Sequence, residues 1–123
     1  MIILDTNVVS ELMKSAPSSQ VLNWMRDQDQ RDLAVTVITL AEIYCGLGRL
    51  PEGRRRANLH RRFETFIDTG FQDRLLSFEP QAAVAYGKLC NTRLQQGLHA
   101  DAFDMMIVAI SQVYCCAMTK GRS

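Results

Sequence analysis

At 123 residues, 47% hydrophobic and 22% charged, the chain has the make-up of a water-soluble globular protein with material for one core, so the expectation is a single domain over 1–123. No apolar run approaches a membrane span, and Asp5 interrupts the start too early for a secretion signal; a cytoplasmic protein with no membrane partner is expected. A net charge of +1 argues against whole-molecule attraction to nucleic acid, and Cys45, Cys90, Cys115 and Cys116, without CxxC spacing, read as buried reduced thiols rather than a zinc site.

The chain opens on Met1-Ile2-Ile3-Leu4, an unbroken apolar run that predicts a short buried strand. Asp5, Thr6 and Asn7 follow, and apolar residues resume at helical spacing with Val8, Val9 and Leu12. A carboxylate therefore stands at the carboxyl end of a buried strand, where open α/β sheets bind ligands. Asp5 reads equally well as the cap of the next helix. A loop over 14–19 leads to a second helix capped by Ser18 or Ser19, with Val21, Leu22, Trp24 and Met25 as its apolar residues.

Leu33 to Val37 predicts a second strand, and Thr39-Leu40-Ala41-Glu42 opens the next helix, broken by Pro51, Glu52 and Gly53. A long helix over about 54–68 carries Leu59, Phe63, Phe66 and Ile67 on one face. Arg54, Arg55, Arg56, Arg61 and Arg62 make its other face. With Arg49 they lie in a stretch holding one acid, Glu52, and such a cluster can follow a phosphate backbone or meet an acidic partner. A third short strand is expected at Leu75 to Phe78, then a helix from Pro80 with Ala83, Tyr86, Leu89 or Cys90, and Leu94 inward. A last helix over about 101–114 should be the most buried, with a fourth strand at Cys115 to Met118. Short strands alternating with helices predict a parallel sheet between helical layers.

Three carboxylates take equivalent places: Asp5 at a strand end, Glu42 in the first turn of the helix after the second strand, and Asp104 in the first turn of the last helix. In a parallel sheet such positions gather on one edge. Three acids without a paired base repel one another, and a hard cation such as Mg²⁺ or Mn²⁺ relieves that repulsion through oxygen ligands. Thr39-x-x-Glu42 and Asp101-x-x-Asp104 also fit helix-capping pairs. The coincidence of all three acids favours a metal site.

Ile3-Leu4-Asp5-Thr6-Asn7-Val8-Val9-Ser10-Glu11, Ile38-Thr39-Leu40-Ala41-Glu42-Ile43, and Asp104 followed by Ile107-Val108-Ala109-Ile110 resemble the PIN domain. More closely, they resemble the VapC-type ribonuclease toxins of bacterial toxin–antitoxin pairs, in their FitB-like branch. The resemblance runs through nearly the whole chain. It implies a three-layer α/β/α fold with a short parallel sheet of about four strands, and Asp5, Glu42 and Asp104 as catalytic, metal-binding acids. Thr6, Asn7 and Thr119 would support them. It also implies Mg²⁺- or Mn²⁺-dependent hydrolysis of RNA, a homodimer, and an antitoxin protein as partner. The chain departs from that pattern at its end: Gly121 falls where the family places a further polar residue, and the closing edge strand is missing.

The alternative from another class is a weakened PIN remnant that binds antitoxin or RNA without efficient cleavage. A phosphotransferase using Asp5 as nucleophile would need a second acid at position 7, which is Asn7. A nucleotide-binding fold would need a glycine-rich loop after the first strand. His99 reads as an ordinary loop histidine.

Overall fold

The computed structural model describes the backbone of residues 1–98 and 101–122 and, within these, side chains as far as Cys115. His99 and the side chains of Cys116 and Thr119 lie outside the described residues. The fold divides into two compact units, Met1–Val35 with Thr39–Leu75, and Thr36–Ile38 with Leu76–Ser123.

Along the chain, β1 (Ile2–Ile3) leads into α1 (Thr6–Leu12), then α2 (Ser19–Asp27), β2 (Leu33–Thr36), α3 (Val37–Gly48) and α4 (Arg54–Gly70), all in the first unit except residues 36–38 at the β2–α3 junction. Strands β1 and β2 pair in parallel, Ile2 opposite Leu33 and Ile3 opposite Ala34, and the Leu4 N–H extends the ladder to the Ala34 carbonyl at 2.9 Å. The sheet order is β1-β2-β3, with β3 at Leu75–Leu76. The expected α/β class with a parallel sheet holds, with three strands among the described residues where about four were predicted.

The first unit's core is Leu4, Val9, Leu33, Val35, Ile43, Phe63, Ile67 and Phe71. Phe63 and Ile67 stand one helical turn apart on α4, so the apolar stripe read from the sequence is the face that is buried. Burying a side chain of this size contributes about 1.5–3 kcal/mol, and this anchors α4 and leaves its arginine face outward. Arg74 pins the far end of α4. Its Nε donates to the Leu33 carbonyl at 2.6 Å, its Nη2 donates to the Gly70 carbonyl, and its guanidinium lies 5.4 Å from the centre of the Phe71 ring.

In the second unit, α5 (Pro80–Gln95) and α6 (Ala102–Arg122) pack against each other, with Ala82, Ala109 and Ile110 buried. Pro80 sits at the start of α5, and Gly97, with φ +70°, adopts the left-handed conformation that follows its end.

Several expectations are corrected. Residues Cys115 to Met118 are not a strand but part of α6. No proline or glycine breaks the chain between Ala102 and Lys120, and Ala117, Met118 and Lys120 favour helix. Helix α3 begins at Val37 directly from β2, so Glu42 lies in its second turn and Thr39 is a buried residue inside the helix, not its cap. The β-branched run Val35 to Thr39 disguised that junction, because branching lowers helix propensity only slightly and context overrides it. Ala83 and Leu94 are exposed, Ala82 being the buried alanine of α5, and Phe103 and Val108 are exposed, so the described side chains of α6 are only partly buried where the most buried helix was expected. The thiol-bearing residues Cys45 and Cys115 are exposed and Cys90 is half-buried, against the expectation of buried thiols. Among the described residues no helix is long and apolar enough to cross a membrane.

Candidate functional site

The buried strand β1 delivers Asp5 to the start of α1, where its backbone is still extended and its Oδ1 accepts the Val8 N–H at 2.8 Å. Asp5 is thus the helix cap that its sequence allowed, and it is exposed, with its carboxylate open to solvent. Its neighbour Thr6 turns inward. The Thr6 hydroxyl donates to Glu42 Oε1 at 2.8 Å and lies 3.3 Å from Thr39 Oγ1. Thr39 is fully buried, so α3 presents Glu42, half-buried, from a fixed backbone position. A hydrogen bond to a carboxylate is among the stronger ones, and it restricts the Glu42 side chain to one orientation.

A cleft of about 930 Å³ opens beside this pair. Thr6, Ser10 and Glu42 line it together with Arg54, Arg55 and Arg62 from α4, over a floor that includes Ile43, Leu47 and Phe63. The sequence marked acids and arginines as separate features; the packing of α4 brings three of the five arginines to the same cleft as Glu42. Arg56 and Arg61 do not line it. Ser10, Lys14 and Asn58 do, and sequence reading missed them. For Asn58 a signal exists: Arg54, Asn58 and Arg62 recur at every fourth position, one face of a helix. For Lys14 there is none.

Asp104 lies in the first turn of α6, exposed, in the second unit. The cap of that helix is Asp101, whose Oδ1 accepts the Phe103 N–H at 2.8 Å. Among the described residues no three His, Cys, Asp or Glu side chains gather into a group that could hold a metal ion. The donors at Thr6, Glu42 and Asp5 are all oxygen. That donor chemistry suits a hard cation, which one or two carboxylates can hold with water completing the shell.

The model of the PIN domain family matches residues 2–122. The chain is 39% identical over 89 residues to VapC ribonuclease Y4jK of Sinorhizobium fredii, covering 72% of this chain and 64% of that protein. It is 32% identical over 112 residues to Toxin FitB of Neisseria gonorrhoeae, covering 91% and 81%. The crystal structure of FitAcB from Neisseria gonorrhoeae is similar with a TM-score of 0.84 at 31% identity, covering 94% of this chain and 83% of that one.

Proposed function

Because this chain belongs to the PIN domain family, we propose that it is the ribonuclease toxin of a toxin–antitoxin pair, acting in the cytoplasm as a single-domain protomer of a homodimer and restrained by an antitoxin protein. The observation that carries this reading is the bonded Thr6–Glu42 pair sharing one cleft with Arg54, Arg55 and Arg62. The arginines attract and orient the phosphates of an RNA strand, and the acids act on the phosphodiester held between them.

Asp5, Glu42 and Asp104 would hold Mg²⁺ or Mn²⁺. When bound, such an ion supplies Lewis acidity and lowers the pKa of a coordinated water. Thr6 keeps Glu42 in one rotamer, and Thr39 is packed beneath Thr6. Asn7 and Thr119 are proposed to support the acids. Relatives named as a ribonuclease and a toxin support the assignment of substrate and role.

Cleavage of single-stranded RNA by the purified chain, with Mg²⁺ or Mn²⁺ and after chelation, tests the proposal. Cleavage that needs the ion and disappears in Glu42→Gln is expected; cleavage indifferent to both overturns it. A second reading, a binding module without efficient cleavage, draws on the absence of a three-acid group among the described residues. RNA binding with no ion-dependent cleavage in the parent chain would select it.

A further inference from the structure

Beside the cleft that holds Glu42 lies a second groove, of about 740 Å³. Both volumes fall in the ~300–1,000 Å³ range of sites that hold small ligands. Lys14, Asn58 and Arg62 line both, so the two hollows share a wall of hydrogen-bond donors. Beyond that wall the second groove adds Arg61 and Thr65, with Leu12 and Phe66 as apolar surface, and no carboxylate lines it. Lys14 does not hang free. Its Nζ pairs with Glu11 Oε2 at 2.7 Å, while Glu11 Oε1 accepts the Ser18 N–H at 2.8 Å, so the loop after α1 and the lysine are tied to one anchored carboxylate. The Lys14 side chain as a whole remains 63% exposed, within reach of a further anion.

We propose that this second groove is an extension subsite for single-stranded RNA, which passes from the Glu42 cleft across Lys14 and Arg62 and places its next phosphate against Arg61. The proposal rests on the nuclease reading, which requires the strand to continue on either side of the bond that is cut. Charge and chemistry favour a nucleic acid strand. Spaced cations suit successive phosphates, Asn58 and Thr65 can reach base edges or ribose hydroxyls, and Leu12 with Phe66 offers bases an apolar surface. The arrangement is continuous with the proposed site of hydrolysis, so a strand entering one hollow meets the other. It explains why the arginines of α4 diverge: Arg54 and Arg55 serve the first cleft, Arg61 the second, and Arg62 both.

Fluorescence anisotropy with an RNA tetramer and an RNA decamer of the same starting sequence, without divalent ions so that neither is cut, tests this across a salt series. The parent should bind the decamer more tightly. Arg61→Gln should bring the decamer several-fold closer to the tetramer, lower the decamer's salt slope by about 0.7, and leave tetramer affinity as it was. Arg61→Lys should restore the slope. Arg54→Gln, in the first cleft only, should weaken both lengths alike. Equal loss for both lengths in Arg61→Gln, or no loss for either, overturns the extension subsite while the nuclease reading stands. If the parent binds neither RNA but binds an acidic decapeptide, the groove belongs to a polypeptide partner, and the subsite and the nuclease reading fall together.

Discussion

The Thr6 hydroxyl reaches Glu42 Oε1 at 2.8 Å across 36 positions of sequence, joining the end of the first strand to the helix that follows the second. The bond has both a structural and a functional consequence. It satisfies a half-buried carboxylate, and it fixes which oxygen of that carboxylate remains open to the cleft. Thr6→Val keeps the shape and removes the donor. The expected cost is about 1–2 kcal/mol of stability, the lower part of the range for bonds to charged groups because Glu42 is only half-buried. Urea unfolding measures it. Thr6→Ser should recover most of the loss, and binding of Mn²⁺ followed by electron paramagnetic resonance should weaken in Thr6→Val and recover in Thr6→Ser.

Asp5 separates capping from chemistry. Asn caps helices about as well as Asp, so Asp5→Asn should leave stability within about 0.5 kcal/mol of the parent, while Asp5→Ala should cost about 1 kcal/mol. Both should lose ion-dependent RNA cleavage. If Asp5→Asn keeps full cleavage, the residue is a cap and nothing more.

Three residues mark what the sequence made legible. Asp5, Thr6 and Glu42 stand out because the signals are local: an apolar run that ends, a turn residue, an acid in a helix with an apolar stripe. The stripe of Phe63 and Ile67 was legible for the same reason, since its period is a property of one helix. The meeting of Arg54, Arg55 and Arg62 with Glu42 was not, because it depends on how α4 packs over α3, and periodicity fixes a face without fixing its partner. Arg74 bonding to Leu33 and Glu11 bonding to Ser18 escaped likewise, being side chain to backbone contacts with no sequence pattern. The fourth strand failed for a subtler reason. Cys115 to Met118 is a short apolar run, which strand and helix share, and the unbroken helix before it decides the outcome.

Glu11 predicts a pH dependence. The hydrogen bond from Lys14, and then the Ser18 N–H, hold its carboxyl below the usual glutamate range. A folded pKa below the unfolded one means stability present above the unfolded value, near 4.3, and lost as pH falls through the folded one. The melting temperature of the parent should therefore fall more steeply than that of Glu11→Gln between about pH 5 and about pH 3, and the two curves should run parallel above about pH 6. Parallel curves throughout would show that the pair contributes nothing to folding.

The proposed metal site predicts a thermal signature that does not depend on catalysis. An ion that binds only the folded chain stabilises it by mass action, by about 2.7 kcal/mol at a hundred times its dissociation constant. Mn²⁺ should accordingly raise the melting temperature of the parent, and Glu42→Gln and Asp5→Asn should respond much less. Asp104 is the discriminating residue, because it stands in a different compact unit from the other two. If Asp104→Asn also loses the response, Asp104 belongs with Asp5 and Glu42 in the set of ligands. If Asp104→Asn responds like the parent, the ion is held by Asp5 and Glu42 alone, and Asp104 must be removed from the set of ligands. Asp5→Asn without Mn²⁺ is expected to melt close to the parent, because Asn caps the helix as Asp does, so a lost response in that variant is a matter of binding and not of damage to the fold.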